Sequence, residues 1–247
     1  MAYKDNQYIF QDSIEHEVNF IGRYGAKGEK RHAKEKKTPE AVRKNNKKEK
    51  EKNIRRLIKN NFQPLCDLWV TLTYLPGERL SFEEAEHKMG NYIRRIQRQF
   101  KNAGETMKYI WKTEIGGKGA VHHHLIINRL ENGKLSLEQL LTKQWKDGRV
   151  HMQLLYAEGG FQKLAEYIAK PNKATEDLFE TGSYHPSTKL KQPIKIVKEY
   201  KRRTLQKELE YGIEPKPGYY IDKNSVVMGV NPFTGRSYLH YTEYRCR

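Results

Sequence analysis

Two stretches of this chain alternate between apolar and polar positions and are joined by glycines: "TMKYIWKTEI" over residues 106–115 and "AVHHHLIIN" over residues 120–128, with Gly116 and Gly117 between them. A period of two belongs to a strand, whose successive side chains point to opposite faces. A turn this tight favours an antiparallel pair. The second stretch carries three consecutive histidines where a buried strand would carry valine or leucine. Alternation divides them, so that Val121, His123, Leu125 and Ile127 share one face and His122, His124 and Ile126 the other. Two imidazoles at i and i+2 on one face can converge on a single divalent cation. The structural alternative is a packed, hydrogen-bonded histidine cluster.

The segments on either side extend the pattern. "LWVTLTY" over residues 68–74 is β-branched and aromatic and ends at Pro76-Gly77, which predicts a strand and a turn. Ser81, with Glu84 three residues on, opens a helix in which Met89, Ile93, Ile96 and Phe100 recur at helical spacing. A helix over 136–145, a turn at Asp147-Gly148, a strand over 149–157, a break at Gly159-Gly160 and a helix ended by Pro171 follow. Strand, helix, strand, strand, helix, strand, helix predicts an α+β fold, a central antiparallel sheet of about five strands with flanking helices. "IKIVKEYKR" reads as a last strand running into a basic helix through Gly212, and the C-terminal residues as a hairpin turning at 231–235. The expected divisions are a basic N-terminal arm with a helix (1–64), the α+β domain (65–200) and a C-terminal helix and hairpin (201–247).

Charge narrows the partners. The chain has 47 Lys and Arg against 30 Asp and Glu, a net charge of +17, which points to a polyanion such as nucleic acid. Residues 27–59 alone hold 15 of the basic residues against 5 Glu. Within them Thr38 as N-cap, Pro39 at the first helical position and Glu40 in the first turn predict a helix start, and Asn60-Asn61 its stop, with an apolar stripe of Ile54, Leu57 and Ile58. Arg55, Arg56 and Lys59 on that helix are candidate DNA contacts. Gly22, Gly25 and Gly28 argue against regular structure over residues 23–37. Two cysteines, Cys66 and Cys246, exclude a disulfide framework or a thiolate zinc site. With no signal-like start and no long apolar run, a cytoplasmic protein without a membrane span is expected. No P-loop pattern occurs, so no helicase of its own is expected.

Three kinds of site use H-x-H on a strand. Di-zinc hydrolases continue with an Asp and a further His, but Leu125, Ile126 and Ile127 stand here. Barrel hydrolases need later His and Asp ligands on further strands, a layout that this chain lacks. The third kind needs an upstream carboxylate and a tyrosine on a downstream helix. Glu114 lies eight positions before His122 and can reach its face across the turn as an oxygen ligand. His151 and Gln153 share one face of the next strand and are candidates for a substitute ligand or for substrate contact. In "LAEYIAKP", Phe161, Leu164, Ala165 and Ile168 form the helix's core stripe, and Tyr167 sits roughly 110° away from it at 100° per residue. Lys170 lies one turn after Tyr167 and Lys163 one turn before. A tyrosine between two lysines, facing a metal strand, suits phosphoryl transfer through a phenol nucleophile, with Lys163 as a phosphate contact.

These residues resemble the HUH endonucleases, and among them the single-tyrosine rolling-circle replication initiator (Rep) proteins of phages and plasmids. The resemblance covers roughly residues 65–196 and rests on "WVTLTY", "EIGGKGAVHHHLIIN", "GRVHMQLL" and "YIAK". It implies His122 and His124 as paired ligands of Mg²⁺ or Mn²⁺, Glu114 as the third, Tyr167 as nucleophile and Lys170 as its assistant. The implied activity is cleavage of single-stranded DNA at an origin, leaving a 5′-phosphotyrosine and a 3′-OH, with a later transfer that closes the circle. A host helicase and polymerase are the partners such an initiator would recruit. The family places a bulky hydrophobe between its paired histidines, whereas this chain has His123, so a register with His123 as ligand stays open. No second tyrosine lies a helical turn from Tyr167, which disfavours the two-tyrosine subclass. The rivals are a single-tyrosine transposase or relaxase, and a non-catalytic nucleic-acid-binding regulator. Oligomeric state is left open.

Overall fold

The structure, a computed structural model, describes residues 3–21, 33, 35–116, 119–156, 158–170, 184–200 and 205–246. In chain order the elements are β1 (Tyr3–Ile9), β2 (Ser13–Phe20), α1 (Pro39–Asn61), β3 (Leu68–Tyr74), α2 (Phe82–Asn102), β4 (Tyr109–Ile115), β5 (Val121–Ile127), α3 (Leu137–Gln144), β6 (Gly148–Leu154), α4 (Gln162–Ala169), β7 (His185–Pro186), β8 (Ile194–Tyr200), α5 (Gln206–Tyr211), β9 (Tyr219–Ile221), β10 (Val227–Asn231) and β11 (Arg236–Arg245). The chain parts into two compact units, residues 46–192 and residues 1–45 with 193–247, instead of at the expected 64/65 and 200/201.

In the unit of residues 46–192 the strands lie in the order β6-β3-β5-β4-β7, every pair antiparallel. This is the expected α+β architecture, and helices cover both faces of the sheet. On one face Val70, Leu72, Trp111, Leu125 and Ile127 pack against Met89, Tyr92, Ile93, Ile96 and Phe100 of α2 and Leu137, Leu140 and Leu141 of α3. On the other, Ile110 and Ile126 pack against Ile54, Leu57 and Ile58 of α1 and Ala165, Ile168 and Ala169 of α4. Burying one such aliphatic side chain contributes about 1.5–3 kcal/mol. Both helices of the first face begin in capping boxes: Ser81 Oγ accepts from the Glu84 amide while the Glu84 carboxylate accepts from the Ser81 amide, and Ser136 and Gln139 do the same for α3. Helix α1 starts as the sequence predicts, with Thr38 Oγ1 accepting from the Ala41 amide at 3.1 Å, and its Ile54, Leu57, Ile58 stripe is buried.

Two strand assignments change. The fifth strand of this sheet is the short β7, whereas "IKIVKEY", expected there, pairs with β1 in the other unit. The expected turn at Gly116-Gly117 is closed by the Gly116 amide donating to the Ala120 carbonyl at 2.8 Å, while Gly117 lies outside the described residues. So do residues 22–32 of the expected charged arm and Pro171 beyond α4.

The unit of residues 1–45 and 193–247 holds a second antiparallel sheet, β10-β11-β2-β1-β8, with β9 on β11. The hairpin of β1 and β2 was not foreseen, because its inward positions are not apolar. Asp5, Gln7 and His16 are buried alongside Tyr3 and Val18. They satisfy one another: Gln7 Nε2 donates to Asp5 Oδ2 at 2.6 Å, and His16 Nδ1 lies 3.0 Å from the same oxygen, with its ring stacked on Tyr241. The C-terminal hairpin, β10 and β11, turns where the sequence predicts.

Candidate metal centre and nucleophile

Strand register brings the candidate residues together. Glu114 on β4 stands opposite His122 on β5, and Lys112 opposite His124, which in turn faces Thr71 on β3. Alternation then puts Glu114, His122, His124, Lys112 and Thr71 on one face of the sheet, the face that α1 and α4 cover farther along. The carboxylate and the two imidazoles each offer a ligand atom, and these atoms lie within 4.8 Å of one another, so the three form a group that could hold a metal ion. His122 Nε2 and His124 Nε2 lie 3.7 and 3.5 Å from Glu114 Oε2. Helix α4 delivers Tyr167 to the same point: its hydroxyl donates to Glu114 Oε2 and lies 2.7 Å from His124 Nε2.

The protons can be followed. Tyr167 has one hydroxyl hydrogen and gives it to Glu114, so its oxygen accepts from His124 Nε2–H, and His124 Nδ1 accepts from the Thr71 hydroxyl at 3.2 Å. A metal ion at Nε2 needs the other tautomer, with Nδ1–H donating to Thr71 Oγ1. A threonine hydroxyl can serve either way. Trp69 stacks on the His124 ring at 5.0 Å and meets the Tyr167 ring edge-on, holding both rings in place.

The electrostatics suit a cation. Burial, followed by the neighbouring His122, pushes His124 down to about 4, so it is neutral and keeps a lone pair to donate. Burial works against the Glu114 carboxylate, yet the Tyr167 hydroxyl, the Lys112 ammonium and both imidazoles together hold it below the ordinary glutamate value. Burial, then the hydrogen bond and charge of Glu114, push the Tyr167 phenol up. At rest this tyrosine is protonated and a weak nucleophile. Two imidazole nitrogens and one carboxylate oxygen are a donor set that a divalent ion such as Mn²⁺ accepts, and the residues present fit such an ion.

His123 points the other way and is completely buried. Thr113 Oγ1 donates to Glu86 and so accepts from His123 Nδ1–H at 3.0 Å, while His123 Nε2 accepts from the Tyr74 hydroxyl at 2.8 Å. Both ring nitrogens are used in the core, and the register with His123 as ligand is closed. His151 and Gln153 are exposed on β6, His151 being opposite Thr71 on the site's face of the sheet and one strand beyond it. Lys163 and Lys170 are exposed on α4 and at its C-cap. Arg55 and Lys59 are half-buried on α1, but Arg56 is 3 % exposed. Packed inward beside Leu57, Arg56 does not offer the surface contact expected of it.

Two residues at the site were not nominated from sequence. One is Thr71, which reads as an ordinary strand threonine. The other is Lys112, whose Nζ donates to the carbonyls of Tyr167 at 3.2 Å and Lys170 at 2.7 Å. A cleft opens beside His122, lined by Thr73, Pro76, Arg79 and Ala120 among others.

Residues 67–172, from just before β3 to just past α4, match the model of a family described as replication-associated protein of the ORF2 type. The match covers all the residues of the candidate centre and supports a replication initiator of the Rep type, and with it an interaction with DNA. No curated protein and no solved structure matches the chain.

Proposed function

We propose that the protein is a replication initiator that nicks single-stranded DNA at an origin through Tyr167. The observation that carries this reading is the Tyr167 hydroxyl lying within hydrogen-bond reach of Glu114 and His124, beside His122, on one sheet face. Glu114, His122 and His124 would hold Mg²⁺ or Mn²⁺. Such an ion supplies Lewis-acid polarisation of the scissile phosphate and lowers the cost of ionising a phenol. The chain's own groups do the rest. Glu114 and His124 accept the phenolic proton, and the Tyr167 oxygen bonds to phosphorus as the bond from phosphorus to the 3′-oxygen breaks. Lys170, exposed at the end of α4, gives the leaving oxygen its proton or balances its charge. The products are a 5′-phosphotyrosine and a free 3′-OH, and attack by another 3′-OH reverses the step and rejoins strands. Lys163, Arg55, Lys59, His151 and Gln153 are placed in this reading as contacts to the strand, with Arg79 bordering the cleft next to His122.

The test is a cleavage assay with pooled single-stranded oligonucleotides and Mn²⁺ or Mg²⁺. A covalent protein–DNA band that requires metal and disappears in Tyr167→Phe is the expected result. A band that persists in Tyr167→Phe moves the chemistry to another tyrosine. Binding without an adduct in the wild-type protein makes it a regulator and not a nuclease.

A further inference from the structure

We propose that Lys112 is the positioning residue for Tyr167, a buried cation on β4 that ties down the C-terminal end of α4 and so fixes the phenol over the metal-binding face. The inference rests on the function proposed above for Tyr167, but its geometry stands by itself. Lys112 is 1 % exposed, among the largest fully buried side chains in the protein. A lysine so placed needs acceptors, and it finds them in the carbonyls of Tyr167 and Lys170, 3.2 and 2.7 Å from Nζ. These belong to the last turn and cap of a helix that ends at Ala169. The final carbonyls of a helix have no partner within it, and the negative end of its dipole lies there, so a cation stabilises that end twice over. The same ammonium lies 5.5 Å from the centre of the Tyr167 ring, on its face.

Position in the sheet makes the tie specific. Lys112 is two residues before Glu114 on the same strand and directly opposite His124, so one rigid pair of strands carries the two ligand residues and the clamp on the helix that bears the nucleophile. The sequence motif draws attention to Lys170 as the tyrosine's assistant. In the structure Lys170 also contributes its backbone carbonyl, and the charge that holds it comes from Lys112, 58 residues earlier in the chain.

Lys112→Met keeps the length of the side chain and removes its charge, and two measurements on the full-length protein decide the matter. The first is hydrogen exchange at the amides of Ala169 and Lys170, which needs neither metal nor DNA. It is expected to quicken at least about tenfold in Lys112→Met, with the amides of α2 unchanged. The second is single-turnover adduct formation at saturating oligonucleotide. It is expected to slow about a hundredfold, since a nucleophile displaced by about 1 Å loses that much, while Mn²⁺ affinity and oligonucleotide affinity stay within about threefold of wild type. Lys112→Arg is expected to recover part of the rate. Wild-type exchange at the end of α4 together with an adduct rate within about threefold overturns the proposal. So does a loss of metal and DNA binding as large as the loss of rate, because Lys112 would then be holding up the whole site. If the wild-type protein forms no adduct, the nicking function fails alone, and hydrogen exchange still decides whether Lys112 anchors α4.

Discussion

His123 shows how much one residue can depend on burial. Burial, then the neighbouring His122 and His124, holds it neutral and pushes its pKa from 6.5 down to about 3. In the unfolded chain it takes up a proton near 6.5, so between about 6.5 and 3 the unfolded state binds more protons than the folded one. The stability this residue contributes is therefore complete above about pH 6.5 and is lost as pH falls towards 3, at a slope approaching about 1.4 kcal/mol per unit. His124, pushed down to about 4, acts with the same sign. Urea unfolding followed from pH 7 to pH 5 should show the wild-type protein losing stability steadily, and His123→Gln losing it about half as steeply. Equal slopes would mean that His123 is charged in the folded protein. Nothing in the local sequence reveals this environment, because the two hydroxyls that complete it come from Tyr74 and Thr113 on the neighbouring strands.

At the scale of elements, the order from β3 to α4 was legible because each element carries its own signal: alternation in the strands, apolar spacing in the helices, and Ser81 with Glu84 at a helix start. The same local signals placed Glu114, His122, His124 and Tyr167 near one another. Long-range facts were not legible. The β1–β2 hairpin hides its inward face behind Asp5, Gln7 and His16, and Lys112 looks like a solvent-facing strand lysine until the carbonyls of α4 are seen above it. Gly148 is a further case. It reads as half of a turn, yet it is the first residue of β6, where an added Cβ would sit 2.0 Å from the Thr73 carbonyl oxygen and 2.7 Å from the Tyr74 carbonyl carbon. Both are backbone atoms of β3 and cannot swing aside. Gly148→Ala should cost about 3 kcal/mol in urea unfolding as β6 is pushed off its neighbour. A cost under about 1 kcal/mol would show that the edge strand shifts freely.

For the molecule as a whole, the charge sets how DNA binding should respond to salt. A net charge of +17 supplies more than enough cations for about six phosphate contacts, for which a single strand gives a slope of about −4 in log K against log salt. Titrating a labelled single strand between low and moderate salt tests this, and a slope near zero would remove electrostatics as the source of affinity. Adduct formation measured at saturating strand should stay nearly constant over the same range, since only encounter and affinity depend on the ion atmosphere. Among the described residues no helix is long and apolar enough to cross a membrane.

The run of three histidines on β5 looks like redundancy, with one imidazole in reserve should another be lost. The sheet makes it the opposite. A deletion of a single residue before Val121 would turn His123 towards Glu114 and drive His122 and His124 among Tyr74, Trp111 and Trp145, exchanging the wet and dry sides of the strand at one stroke. Three copies of one letter here are three separate parts, and none of them is a spare.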